Sequence, residues 1–181
     1  AVGAPGGAKC DDYDCGDGSD ATGGGSVIIL YPNPDGSVKA HGRIRPGEAG
    51  FDAPVETFDL FGSALATLGD VNGDGYGDLA VAALGDDDGQ TDGTVCDVYR
   101  GAVWILFLGP NATVRSYVKL SSTSPASNGL LSDDIYWFGW SLAGPGDLDG
   151  DGVPDLVVGD RFAYIESHRQ GAVQLLLLNR D

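Results

Sequence analysis

Apolar residues in this chain fall in short runs separated by Gly, Asp and Pro, and no stretch sustains a 3.6-residue period with helix caps. Short apolar runs bounded by turn residues read as strands. Four follow one another mid-chain: residues 61–68, 78–83, 101–108 and 112–120. The third carries Val103, Trp104, Ile105, Leu106 and Phe107, and the fourth carries Val114, Tyr117 and Val118. Between them lie an Asp/Gly loop, then Gly85-Asp86-Asp87-Asp88-Gly89, then Gly109-Pro110-Asn111, all of it turn chemistry. The small residues Gly62, Ser63, Ala64 and Ala66 suit an innermost strand that must sit in a crowd. No run approaches the roughly 18 apolar residues that would make a membrane-spanning helix.

The pattern repeats. Phe61-Gly62-Ser63-Ala64-Leu65 returns as Phe138-Gly139-Trp140-Ser141-Leu142. At the same spacing, Asp70-Val71-Asn72-Gly73-Asp74-Gly75-Tyr76-Gly77-Asp78-Leu79 returns as Asp147-Leu148-Asp149-Gly150-Asp151-Gly152-Val153-Pro154-Asp155-Leu156. A third element occurs three times, starting at Gly25, Gly101 and Gly171. Four short antiparallel strands recurring at long period predict an all-β fold made of β-propeller blades. Ala1-Val2-Gly3-Ala4-Pro5 aligns with Ala80-Val81-Ala82-Ala83-Leu84, so the chain opens in a second strand. The expected units are 1–60 (strands two to four plus a connection), 61–137 (a complete blade plus a connection) and 138–181 (strands one to three). That amounts to a partial propeller of about two and a half blades, with one strand edge open in the first unit and one in the last. Open edges invite added strands, from further blades of the same chain or from a neighbouring copy in a homo-oligomer or filament.

The duplicated loop carries the candidate chemistry. Asp70, Asn72 and Asp74 stand at positions 1, 3 and 5, with Gly75 at 6, Tyr76 at 7 and Asp78 at 9. The second copy places Asp147, Asp149, Asp151, Gly152, Val153 and Asp155 at the same positions. Ca²⁺ takes six to eight hard oxygen ligands in a flexible shell. Position 7 would ligate through its carbonyl, which leaves its side chain free to vary between Tyr76 and Val153. Position 12 is Val81 or Val158, not the Glu of an EF-hand, so position 9 must close the shell. Without a cation, such gathered groups repel one another. Two Ca²⁺ sites are expected, the second tighter because it offers four carboxylates against three in the first.

At these residues the sequence resembles the FG-GAP repeats of integrin α-subunit β-propellers, and more closely the long tandem FG-GAP proteins of microbes and algae. Phe61-Gly62 and Phe138-Gly139 match the FG element, Val2-Gly3-Ala4-Pro5 matches the GAP element, and the two Asp-rich loops match the calcium loops. Two departures stand out. Ala83-Leu84 and Gly159-Asp160 replace the GAP element in the second and third units, and the 161–170 loop lacks the acidic run of its counterpart. The resemblance implies a secreted or cell-surface propeller that binds calcium.

Charge narrows the partners. Lys and Arg number 10 against 27 Asp and Glu, a net charge of −17, which argues against nucleic acid and leaves no basic patch for anionic lipid. A protein partner or further blades remain. The chain has no Met, starts mid-pattern and shows no signal peptide, which reads as a mature or trimmed piece. Only four residues separate Cys10 from Cys15, so a disulfide between them is sterically easy. Cys96 occupies the equivalent loop of the next blade, so Cys15–Cys96 competes. Antiparallel order puts the calcium loops and Asn111 at one face, and the cysteines, the acidic runs and Tyr136-Trp137 at the other. Asn111-Ala112-Thr113 is an N-glycosylation sequon at a hairpin tip. The Asp86-Asp87-Asp88 run and the cluster Asp11, Asp12, Asp14, Asp17 and Asp20 are either extra cation sites or solvated turns, and solvated turns are the favoured expectation. His41 reads as strand surface and His168 as loop, and no nucleophile–base–orienter set assembles. The expected function is therefore a non-enzymatic adhesion or structural module. The alternative is the scaffold of a secreted carbohydrate-binding protein or hydrolase using the loop face.

Overall fold

A computed structural model describes residues 1–5, 24–56, 58–88, 100–127, 131, 137–161, 163–165 and 168–180. Cys10, Cys15, Cys96, Tyr136 and the acidic cluster between 11 and 20 lie outside the described residues. The architecture is all-β. Strands β1 (Val2–Ala4), β2 (Ser26–Pro32) and β3 (Val38–Ile44) form one antiparallel sheet in that order. The second sheet is β4 (Phe61–Gly69), β5 (Asp78–Ala83), β6 (Ala102–Leu108) and β7 (Val114–Leu120), again in chain order. The third is built from β8 (Phe138–Gly146), β9 (Asp155–Asp160) and β12 (Ala172–Leu176), with β9 in the middle. These are blades of a partial β-propeller, and they contain the strands in the order the repeats predicted.

The 161–170 connection holds more than a loop. It folds a small hairpin of β10 (Tyr164–Ile165) and β11 (His168–Arg169), in which His168 pairs with Ile165. Neither strand shows a period long enough to be read from sequence. His41 lies on β3 opposite Leu30, the outer strand of its sheet.

Two apolar cores lie between the blades. One joins Val27 and Ile44 of the first sheet to Phe61, Val81, Trp104 and Leu106 of the second. The other joins Ala80, Val103 and Ile105 of the second to Phe138, Leu156 and Val158 of the third. The middle blade is therefore covered on both faces. All six residues of β5 are buried, and this explains why β6 and the part of β5 after Asp78 read as unbroken apolar runs and not as alternating ones. Strand β12 is covered on one face only, and Val173 and Leu175 on its other face are exposed.

The repeated Phe-Gly pair is the joint between blades. Phe61 and Phe138 are fully buried, one in each core. Their amides bond backward to the preceding blade, Phe61 N–H to Gly24 O at 2.7 Å and Phe138 N–H to Arg100 O at 3.0 Å. The residues just before them, Leu60 and Trp137, both take left-handed backbone with φ of 57° and 67°. Gly139 follows with φ +91°, and a Cβ there would lie 3.0 Å from the Ala82 Cβ and 3.1 Å from a Val103 methyl. Both the backbone region and the space favour glycine. Gly139→Ala is expected to lower the free energy of unfolding by about 1–3 kcal/mol, read by urea denaturation.

One aromatic escaped the strand pattern. Phe51 sits in the connection before β4, is buried, stacks on Phe61 at 5.0 Å between ring centroids and meets Trp104 edge-on at 5.6 Å. An isolated Phe between Gly50 and Asp52 carries no periodicity to mark it as core.

Candidate metal centre

Both Asp-rich loops join the first and second strands of their blades, β4 to β5 and β8 to β9. Each is wired by its own carboxylates. In the first loop, Asp70 accepts the Asp74 N–H at 2.9 Å and the Gly75 N–H at 2.8 Å through its two oxygens. Asn72 Oδ1 also accepts the Asp74 N–H, at 3.1 Å, and Asp74 Oδ1 accepts the Tyr76 N–H at 3.0 Å. The second loop repeats the plan. Asp147 accepts from Gly150 and Gly152 at 2.7 and 2.9 Å, Asp149 from Asp151 at 3.1 Å, and Asp151 from Val153 at 2.7 Å. Gly75 and Gly152 supply the sharp turn with φ of +89° and +87°.

Position 9 is a staple. Asp78 is buried, and its oxygens accept the Val71 N–H at 2.9 Å and the Leu108 N–H at 3.0 Å, tying the loop to the end of β6. Asp155 does the same with Leu148 at 2.7 Å and Leu178 at 3.0 Å, just past β12. Burial pushes the Asp78 carboxyl up, against the pull of those amides. The amides of Tyr76 and Gly152 lead the effects that hold Asp74 and Asp147, respectively, below the ordinary carboxylate range.

Among the described residues, Asp147, Asp149 and Asp151 bring carboxylate oxygens within 4.8 Å of one another and are exposed. This donor set is hard, anionic and accessible, which fits a divalent cation of the calcium type. A carboxylate oxygen that accepts one N–H keeps a lone pair, so the internal wiring does not exhaust these ligands. Positions 1, 3 and 5 of the second loop thus converge, whereas Asp155 already spans the loop and the end of the third strand. The side chains at position 7 diverge: Val153 is buried in the core and Tyr76 is exposed.

A model of the FG-GAP repeat matches residues 61–106 and 138–176. These two units are FG-GAP repeats. The chain is similar to integrin α chains: 34% identity over 138 residues to integrin alpha-X of Mus musculus, covering 76% of this chain and 10% of that protein. Integrin alpha-IIb of Homo sapiens is 40% identical over 106 residues, 58% of this chain and 9% of the relative. Integrin alpha-PS2 of Drosophila melanogaster is 42% identical over 101 residues, 55% of this chain and 6% of the relative. The chain thus spans about a tenth or less of the length of these relatives.

The opposite end of the middle FG-GAP blade corrects one expectation. The Asp86-Asp87-Asp88 run is not a solvated turn: Asp86 is buried, and Lys119 of β7 bonds Asp86 at 2.7 Å and Asp88 at 3.1 Å. The Lys119 ammonium also sits 5.5 Å from the Trp104 ring centroid. Asp59, buried beside this group, has its carboxyl pushed up to about 7, chiefly by burial and then by Asp86. Sequence spacing gave no sign of this cluster, because its members come from three separate segments.

Proposed function

We propose that this chain is a calcium-stabilised FG-GAP module of an extracellular or cell-surface protein, working in adhesion or assembly and not in catalysis. The observation that carries the reading is the duplicated oxygen-donor loop on two integrin-like repeats. Asp70, Asn72, Asp74, the Tyr76 carbonyl and Asp78 would hold one Ca²⁺. Asp147, Asp149, Asp151, the Val153 carbonyl and Asp155 would hold the other. Extracellular modules bind calcium at about 10⁻⁴–10⁻³ M, a range that exposed loops of this kind suit. Titration calorimetry with calcium is expected to give two ions per chain, and no uptake at millimolar calcium would contradict the reading.

The proposed blade limits remain 1–60, 61–137 and 138–181. The outer edge of β12, with Val173 and Leu175 exposed beside it, is the place where a further strand or a partner protein would add. A Cys10–Cys15 disulfide, in competition with Cys15–Cys96, belongs to the same extracellular reading. Asn111 is exposed at its hairpin tip with φ 58°, and the Thr113 hydroxyl donates to Pro110 O at 2.9 Å. Glycosylation there is expected to disappear in Asn111→Gln, read as lost glycosidase-sensitive mass after secretion from eukaryotic cells. An unchanged glycosidase shift would place the glycan elsewhere.

A further inference from the structure

The two cation loops share their backbone wiring but not their surroundings. Asp74, at position 5 of the first loop, accepts a hydrogen bond from Arg115 Nη1 on its second oxygen at 2.8 Å. Arg115 comes from β7, the outer strand of the same blade, 41 residues further along the chain. Its guanidinium carbon lies 5.0 Å from the ring centroid of Tyr76, the residue at position 7. The first loop therefore already has a cation held by an ion pair on one side and an aromatic face on the other. The second loop lacks the aromatic hold: its position 7 is the buried Val153, which offers no ring. Arg180 approaches that loop but donates to the Gly152 carbonyl at 3.2 Å, not to a carboxylate.

We propose that Arg115 is a tethered counter-cation of the first loop, competing with an incoming divalent ion for Asp74 and so weakening that site. This rests on the calcium reading of the loops. A guanidinium stays charged at any physiological pH, so the competitor is permanent. The pair is partly exposed, with 46% of the Arg115 side chain and 21% of the Asp74 side chain accessible, and exposed pairs are weak. Displacement is thus feasible, and the effect is a weakened site, not a blocked one. The repulsion between guanidinium and incoming Ca²⁺ adds to the competition. With four carboxylates in the second loop and only three, one of them paired with Arg115, in the first, the expected difference between the loops is about tenfold in affinity or more, with the second filling first.

Calcium titration calorimetry on the full chain tests this with four variants. The unaltered protein is expected to show two affinities, and Asp151→Ala to lose the tighter one. Arg115→Ala and Arg115→Gln are each expected to strengthen the weaker site about tenfold and leave the tighter one unchanged. Arg115→Lys keeps the charge and is expected to keep most of the gap. If the neutral Arg115 variants leave the weaker affinity within about twofold of the original, the tethered-cation role is wrong and calcium binding still stands. If none of the proteins takes up calcium at millimolar concentration, the calcium reading and this inference are both overturned.

Discussion

Phe61→Ala is expected to lower the free energy of unfolding by about 3–5 kcal/mol, as truncation of a buried aromatic does when its site cannot collapse. The site has little room to collapse. Phe61 is fully buried between the first and second blades and stacked against Phe51 with an interplanar angle of 25°. Its amide is fixed to Gly24 O, so the backbone cannot easily follow the lost ring. Val173 is the matched control: it is 75% exposed on β12, and Val173→Ala is expected to change stability by less than about 0.5 kcal/mol. Urea denaturation of both variants at fixed calcium separates the outcomes. A Phe61→Ala cost no larger than the Val173→Ala cost would mean that the two blades do not share a core in solution.

Asp59→Asn is expected to stabilise the protein at pH 8 and to leave it nearly unchanged at pH 4. The folded carboxyl titrates at about 7, against an unperturbed 3.8. A carboxyl raised on folding binds its proton more tightly in the native state. Its contribution to stability is therefore complete below the unfolded value and is lost as pH rises through 7. At about 1.36 kcal/mol per unit, the full swing is about 4 kcal/mol, an upper figure because relaxation offsets part of it. Asparagine keeps an oxygen for the Glu56 N–H, which Asp59 accepts at 2.7 Å, while removing the charge. Denaturation curves at the two pH values check this. An equal effect of Asp59→Asn at both would show that burial of the charge is not the cause.

The strand order was legible in the sequence because the repeats align and because β6 and the part of β5 after Asp78, covered on both faces, are apolar without interruption. The Phe-Gly pairs were legible as a motif, though not as a joint. Their role depends on Leu60 and Trp137 taking left-handed backbone and on Gly139 lying against Ala82 and Val103, contacts that only the packed blades create. The acidic positions of the two loops were legible from alternation, and the structure brings Asp147, Asp149 and Asp151 of the second within 4.8 Å of one another. What spacing could not supply was chemistry arriving from elsewhere. Arg115 reaches Asp74 across 41 residues, and Lys119 reaches Asp86 across 33. Both sit on β7, at opposite ends, and the strand pattern there distinguishes buried from exposed positions without saying which loop an exposed cation will meet. Phe51 was missed for the converse reason: a single core residue in a connection has no period.

If cations on the two FG-GAP loops hold this fold together, thermal unfolding depends on calcium. Without a cation, Asp147, Asp149 and Asp151 gather like charges within 4.8 Å at neutral pH, and a ligand that binds only the folded chain stabilises it by mass action. The melting temperature is expected to rise with calcium and fall in excess chelator, and the shift to shrink in Asp74→Ala and shrink further in Asp151→Ala. A melting temperature that is the same in millimolar calcium and in excess chelator would contradict the account.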